Sequence, residues 1–313
     1  MRYISIDRLD QQVSQLIMGT AGIYPSNIDE MSPLLDEYMR LGGNIFDTAQ
    51  NYGAGKSEKA LGIWLSKGNK RRSDLLILTK GGHPDEQGLP RVNAEAITDD
   101  LLGSLERLQT DYIDLYLLHR DDPAVPVERI IEVLNEHIEQ GLIKAIGASN
   151  WSYQRIQEAN HYAKDNGLVG FSCSSPNLSL AKPIEPMWPG CVSADMNTCN
   201  WHTKTQLPLL AWSAQASGFF SGRFSPEKKD HCDMVRVYYS DTNWERYRRA
   251  KQLASQKGCQ AIHIALAYVL CQPFPTGGII GAQTIDELRS SFVATQIELT
   301  QDEMHWLSLE ENS

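Results

Sequence analysis

The chain has 313 residues, 42% hydrophobic and 22% charged, enough apolar material for a core of ordinary size. Its 39 acidic against 29 basic residues give a net charge of −10, which argues against a nucleic-acid partner, because phosphate binding needs clustered lysine and arginine. The compact basic run Lys70-Arg71-Arg72 falls between a helix-like and a strand-like segment and is expected in a solvated loop.

From Met1 to Asp10 charged and apolar residues alternate, without the apolar run of a signal peptide. No stretch nears the ~18 apolar residues of a membrane span. A soluble, cytoplasmic protein with no membrane partner is expected. The six cysteines, at 173, 191, 199, 232, 259 and 271, form no CxxC pair and suit neither a zinc ribbon nor a disulfide framework. Free thiols in a reducing compartment are expected.

In chain order, the segment before Gln15 predicts a short hairpin that closes the bottom of a barrel. A strand follows at 15–19. Ser32-Pro33 then predicts a capped helix start, and Gly42-Gly43 its end. The second strand is 44–47, and a Ser-capped helix is predicted to start near Ser57. The third strand, 75–79, precedes a helix whose apolar stripe is Leu101, Leu102, Leu105 and Leu108. After the fourth strand, 112–118, Pro126 opens a helix through Ile130, Ile131, Leu134 and Ile138, closed by Gly141. The fifth strand, 143–147, leads to a helix capped by Ser152 and ending at Gly167. The sixth strand is predicted at 169–173, the seventh at 208–212 and the eighth at 278–280. Long connections at 182–206 and 219–243 have the length of binding loops. Thr284-x-x-Glu287 and Thr300-x-x-Glu303 fit capping boxes.

Continuous apolar runs alternating with amphipathic stretches imply a parallel sheet buried on both faces. Eight strands fit a closed barrel or an open doubly wound sheet. The open sheet would carry G-x-G-x-x-G after its first strand, and residues 19–24, Gly-Thr-Ala-Gly-Ile-Tyr, lack it. The predicted fold is therefore an α/β (β/α)8 TIM barrel, a single domain over 1–313 with an N-terminal β-hairpin.

In such a barrel the active site lies at the C-terminal strand ends. Asp47 ends the second strand, Lys80 the third, His119 the fourth, Ser149-Asn150 the fifth and Trp212-Ser213 the seventh. Tyr52 lies in the loop just after Asp47. No nucleophile elbow and no metal-ligand spacing is present. Lys80 suits either of two roles: a Schiff-base lysine, or a cation that lowers the pKa of a nearby phenol, for which Tyr52 is the obvious candidate. Gly53-Ala54-Gly55-Lys56-Ser57 ends like a Walker A loop, but Gln50 stands where its first glycine belongs.

Phe46-Asp47-Thr48-Ala49-Gln50-Asn51-Tyr52-Gly53, with Ser57-Glu58 and Leu61-Gly62, resembles the signature of the aldo-keto reductase superfamily. Leu78-Thr79-Lys80-Gly81, the run Asp111 to His119 and the run Lys144 to Asn150 resemble its further motifs. The resemblance spans Ser5 to Leu309 and is greatest to the bacterial branch, on Trp212-Ser213-Ala214-Gln215. It implies hydride transfer from NAD(P)H to a carbonyl substrate, with no metal. Tyr52 would be the general acid, Lys80 paired with Asp47 would lower its pKa, and His119 would orient the carbonyl.

The resemblance also implies cofactor residues. Gly19, Thr20 and Asp47 would line the dinucleotide site, and Ser149, Asn150 and Ser175 would meet the carboxamide. Ser175 stands where the family has a longer glutamine, and a water or neighbouring Asn177 would compensate. Trp212 would stack on the nicotinamide. Ser213, Ala214, Gln215, Ser217, Gly218 and Phe219 would wrap the pyrophosphate. Gly281, Gln283 and Glu287 would meet the adenosine end. NADP(H) is the family default. Glu287 stands where NADP-preferring members place Arg or Lys, with Arg289 nearby as a substitute cation, so NAD(H) or dual use stays open. Tyr24, His83 and Trp151, with Trp188 and Tyr238, are candidate substrate-pocket residues, and the polar loops favour a sugar or polyol-type carbonyl. A Schiff-base lyase and a cofactor-binding regulatory subunit are the competing functions.

Overall fold

The computed structural model describes residues 1–67 and 70–309. The chain enters through a hairpin, β1 (Tyr3–Ile4) antiparallel to β2 (Val13–Ser14). Eight parallel strands follow: β3 (Leu16–Gly19), β4 (Ile45–Asp47), β5 (Leu76–Gly81), β6 (Ile113–Leu118), β7 (Ile143–Ser149), β8 (Ser174–Ser175), β9 (Leu209–Ala211) and β10 (Thr276–Ile280). They pair in sequence order, and β10 pairs with both β9 and β3 to close a barrel. The predicted barrel with its N-terminal hairpin is the observed fold. The helices between the strands are α1 (Ile28–Arg40), α2 (Lys56–Ser66), α3 (Ala94–Leu108), α4 (Val127–Glu139), α5 (Tyr153–Asp165) and α6 (Met196–Thr205). After β9 come α7 (Cys232–Tyr238), α8 (Asp241–Lys257) and α9 (Ala261–Leu270), and after β10 come α10 (Ile285–Val293) and α11 (Gln301–Ser308).

Successive strand residues point to opposite faces, so each strand feeds two cores. Ile17, Ile45, Leu76, Leu78, Leu115, Leu117, Ala145, Cys173 and Leu210 fill the barrel interior, and Ile4, Ile6 and Val13 from the hairpin region plug its lower end. Their neighbours Met18, Phe46, Ile77, Tyr116, Leu118 and Ile146 face outward and pack under the helices.

The sixth strand differs from its prediction at 169–173. The backbone of Val169 and Phe171 is bound by side chains, and only from Ser172 onward does the stretch bond to β7. Asn135 Oδ1 accepts from Val169 N and Nδ2 donates to Val169 O, and Asn160 does the same for Phe171. Pairing is delayed to Ser174–Ser175. Helix α1 starts a turn earlier than predicted, with Asn27 at its N-cap and Pro33 inside it. Ser32 does not cap; its hydroxyl donates to Ile28 O at 2.6 Å. Helix α2 starts at Lys56 behind a left-handed Gly55 (φ 83°), so glycine and not Ser57 makes that start. On α3 the buried face is Ile97, Leu101, Leu105 and Leu108, whereas Leu102 is 50% exposed.

The basic run is more engaged than a solvated loop. Lys70 pairs with Asp36 at 2.9 Å, Arg71 with Asp74 at 2.7 Å, and half-buried Arg72 with buried Asp114 at 2.6 Å. No described helix is long and apolar enough to cross a membrane. No disulfide joins the cysteines, of which Cys173 is buried and Cys232 exposed.

Candidate active site

The pleat that fills the barrel also builds the site. Ile45, Leu76, Leu78, Leu115, Leu117 and Ala145 point inward. Continuing that alternation to the strand ends turns Asp47, Lys80, His119 and Ser149 to the same side. All four line one cleft of about 1810 Å³ at the C-terminal mouth of the barrel. Tyr52 joins them from the loop after β4. Its N–H donates to Ala49 O, and the next three residues, Gly53, Ala54 and Gly55, are all left-handed (φ 58°, 54° and 83°), which turns the chain sharply into α2. A Cβ at Gly53 would collide with the Tyr24 ring, so glycine is required there by space as well as by φ.

Lys80 is the hub. Its Nζ donates to Asp47 Oδ1 at 2.5 Å, to Thr48 O at 2.9 Å and to Tyr52 Oη at 3.1 Å, which uses its three N–H groups. Asp47 and Lys80 are buried and Tyr52 half-buried. Burial opposes the Lys80 charge, but Asp47 and Tyr52 outweigh it and raise its pKa, so Lys80 is an ammonium. Burial raises the Asp47 carboxyl while Lys80 pulls it down. For Tyr52 the net direction is upward. Burial and the Asp47 charge raise its pKa, against the opposing pull of Lys80 and Arg120. The Lys80 contribution has the expected downward sign, but burial and Asp47 outweigh it. The phenol stays protonated at neutral pH, and Lys80 is in place to stabilise the phenolate once the proton has left.

The rings of Tyr52 and His119 meet edge to face with centroids 5.8 Å apart, and His83 approaches His119 at 5.1 Å. Burial, Lys80 and Arg120 hold the His119 pKa well below the usual histidine range, so the imidazole is neutral. Its Nδ1 is buried without a partner. A bare ring nitrogen is cheaper to bury than an orphaned N–H, which places the proton on Nε2, toward the cleft.

The cleft continues past β9 and β10. Gly19, Asn150, Trp212, Ser213, Gln215, Ser217, Gly218, Gly281, Gln283 and Glu287 line it, as do His83 and Trp188. Several of these have strained backbones: Asn150, Ser213 and Ser217 have φ of 59°, 49° and 51°. Left-handed non-glycine residues cost roughly 1–2 kcal/mol each and cluster at functional sites. A Cβ at Gly218 would overlap the Arg223 guanidinium, which lies over that turn. At the far end Thr284 caps α10, accepting from Glu287 N, and Glu287 reaches back to accept from Gln283 N at 2.8 Å.

Other sequence-predicted residues lie elsewhere. Thr20, Ala214 and Ser175 are buried beside the cleft without lining it. The Thr20 hydroxyl donates to Asp47 O, and that of Ser175 to Leu210 O inside the barrel wall. Asn177 ties Trp212 O to Ser193 and does not replace the missing glutamine. Phe219 points away from the cleft into an aromatic cluster with Trp244 (4.6 Å) and Tyr238, so it anchors the loop. Trp151 is a core residue: its Nε1 donates to Arg120 O and its ring packs on Phe171. Tyr24 and Tyr238 also stand outside the lining. The amide of Asn150 is fully engaged, donating to His119 O and Ser149 Oγ and accepting from Val192 N and Trp212 Nε1.

The aldo/keto reductase family pattern matches residues 15–308. The chain belongs to the aldo/keto reductase family. It is 28% identical to an uncharacterised oxidoreductase, YrpG, of Bacillus subtilis, over 98% of this chain and 95% of that protein. It is 27% identical to a probable voltage-gated potassium channel subunit beta of Oryza sativa subsp. japonica, over 95% and 92%. Among solved structures, the thermostable aldo-keto reductase Tm1743 in complex with the inhibitor epalrestat superposes with a TM-score of 0.77 at 26% identity, over 99% of both chains. This aldo/keto reductase is thus an oxidoreductase of a family that generally uses NAD(P)H.

Two lining cations escaped the sequence reading, Arg120 and Arg223. Arg120 directly follows His119, and the signal for Arg223 was its position after the Ser217–Gly218 turn. Among the described residues no group of three His, Cys, Asp or Glu side chains is arranged to hold a metal.

Proposed function

We propose that this aldo/keto reductase reduces an aldehyde or ketone to the alcohol, with Tyr52 donating the proton to the carbonyl oxygen. The observation that carries this reading is the single Lys80 ammonium shared by Asp47 Oδ1, Thr48 O and Tyr52 Oη. Tyr52 remains loaded with its proton, and Lys80 stabilises the phenolate that proton transfer leaves. Neutral His119 donates from Nε2 to the same carbonyl oxygen and holds it near Tyr52. General acid catalysis of this kind contributes about 10²–10⁴ in rate.

The cleft exceeds the ~300–1,000 Å³ of a single small-ligand pocket and fits a dinucleotide with a carbonyl substrate. Trp212, Ser213, Gln215, Ser217, Gly218 and Arg223 would hold the nicotinamide half and pyrophosphate, and Gly281, Gln283 and Glu287 the adenosine end. The bound dinucleotide supplies the hydride to the carbonyl carbon.

NADH is the coenzyme that the adenosine end favours. Lining residues from Gly281 to Ser291 include Asp286 and Glu287 but no cation. Arg289, the expected substitute, pairs with Glu37 on α1 at 2.9 Å. A 2′-phosphate there would meet a carboxylate on an otherwise anion-binding helix terminus.

The Schiff-base lyase reading loses support because Lys80 is held charged with all its donors used, whereas imine formation needs a free amine. The complete quartet favours an enzyme over a purely regulatory subunit. The test is a panel of polar aldehydes, ketones and polyols with NADH and NADPH, followed by the absorbance of the reduced nicotinamide. Turnover of a carbonyl is expected; no turnover, with imine trapped by borohydride, would overturn the reading.

A further inference from the structure

Arg120 leaves the end of β6 directly after His119 and is buried, at 8% exposure. Its side chain lines the cleft beside Pro189, Gly190 and Cys191. Nη1 donates to His119 O at 2.8 Å, Nε to Pro189 O at 3.3 Å and Nη2 to Cys191 Sγ at 3.3 Å. None of these acceptors is charged. Two are backbone carbonyls, and burial raises the pKa of the Cys191 thiol, so it is no thiolate counter-ion. Two of the five guanidinium N–H groups have no acceptor among the described residues.

Four other cations of the barrel and its helix layer each answer a buried carboxylate. Lys80 has Asp47, Arg72 has Asp114, Arg91 has Asp100 and Arg107 has Glu58. Arg120 is more buried than the three arginines and forms no ion pair. Neighbouring Asp121 turns to Arg155. Asp85 and Glu86 sit on the same rim, but the Asp85 carboxylate closes its own turn on Gln87 N and Leu89 N, and Glu86 is exposed. A buried charge without a counter-charge destabilises a fold, so such a group marks a place where a ligand supplies the missing charge.

Position decides which ligand. In the barrel, β7 and β8 separate β6 from β9, whose following loop carries the Ser217–Gly218 turn and Arg223. The dinucleotide phosphates therefore belong to the far rim. Arg120 stands beside His119 and close enough to His83 for its charge to depress both imidazoles. We propose that Arg120 binds an anionic group of the carbonyl substrate, which makes oxo-carboxylates the preferred substrate class. The planar fork matches a carboxylate through two parallel N–H donors. This proposal rests on the carbonyl-reductase reading above.

The test compares ω-oxo carboxylates, from glyoxylate to 6-oxohexanoate, with their methyl esters. The wild-type enzyme is expected to prefer the acid over the ester by about 10- to 100-fold in kcat/KM at the best chain length, the strength of a charge-assisted hydrogen-bond pair. In R120Q that ratio should fall toward one through the KM of the acid. R120K, which keeps the charge but loses the fork, should give an intermediate ratio. Ester turnover with a ratio near one at every length would overturn the proposal and leave the reductase reading standing. If no carbonyl compound is turned over, the reductase reading fails and binding decides the proposal. Trp188 and Trp212 line the cleft 6.0 Å apart and report on it by fluorescence. Benzoate quenching with oxidised dinucleotide that is lost in R120Q and kept in part in R120K supports the anion site. No quenching, or equal quenching in R120Q, overturns it.

Discussion

Lys80→Met separates the structural and chemical parts of the Lys80 cluster. The substitution keeps most of the side-chain volume and removes the ammonium. Asp47 Oδ1 loses its 2.5 Å partner, and Thr48 O and Tyr52 Oη lose theirs. Both members of the ion pair are 3% exposed, so the carboxylate left behind is poorly solvated. Breaking a buried pair from one side costs about 3–5 kcal/mol, because the remaining charge is left uncompensated. Removing both charges is milder, so Asp47→Asn/Lys80→Met should recover most of that loss, to within about 1–2 kcal/mol of wild type. Asp47 in the single variant escapes its burial by taking up a proton, so the deficit should shrink as the pH falls. Activity should not follow stability. Both variants lose the cation proposed to stabilise the Tyr52 phenolate, and kcat should fall by about 10²–10⁴ in each. Urea unfolding and single-turnover reduction measure the two quantities on the same samples. A Lys80→Met protein as stable as wild type would show that the pair is not a buried charge pair, and a double variant that regains turnover with stability would show that Lys80 has no chemical part.

Glu287→Gln should raise the ratio of kcat/KM for NADPH over NADH by about 2- to 5-fold, the effect of one exposed charge at a helix N-terminus. A wild-type preference for NADPH of about a thousandfold would contradict the coenzyme assignment. His202 is held by Ser174 Oγ and Leu207 O, and burial pushes its pKa down to about 4 from 6.5. Below pH 6.5 the unfolded chain takes up a proton that the folded chain refuses, so this group's stability is present above that pH and is lost as the pH falls toward 4. The loss by pH 5 is about 2 kcal/mol, and His202→Gln should flatten the decline by that amount. Parallel wild-type and variant profiles of urea midpoint against pH would show that His202 does not titrate in this window. The oxo-carboxylate preference and its loss in R120Q complete the set.

What the sequence made legible follows from where the apolar runs end. Continuous runs stop at Asp47, Lys80 and His119, and parallel barrels carry their sites at the C-terminal strand ends, so the three could be grouped from the sequence. Three-dimensional competition hid the rest. Val169 and Phe171 are strand-forming residues whose backbone is taken by Asn135 and Asn160 from neighbouring helices, which moved the sixth strand. Phe219 adjoins Gly218 in sequence, yet apolar packing turns its ring to Trp244. The direction of the Tyr52 pKa depends on burial, which adjacency to a lysine does not reveal. Arg120 was invisible for a related reason. An arginine beside a histidine is ordinary, and only the folded chain shows that no carboxylate answers it.

Removing the Tyr52 hydroxyl tests the proposed proton donor most directly. Tyr52→Phe removes one hydroxyl from a half-buried ring that still packs edge to face on His119. Carbonyl reduction should fall by about 10²–10⁴ in kcat, with dinucleotide affinity, read by fluorescence titration, within about threefold of wild type. Undiminished kcat in that variant would exclude Tyr52 as the proton donor.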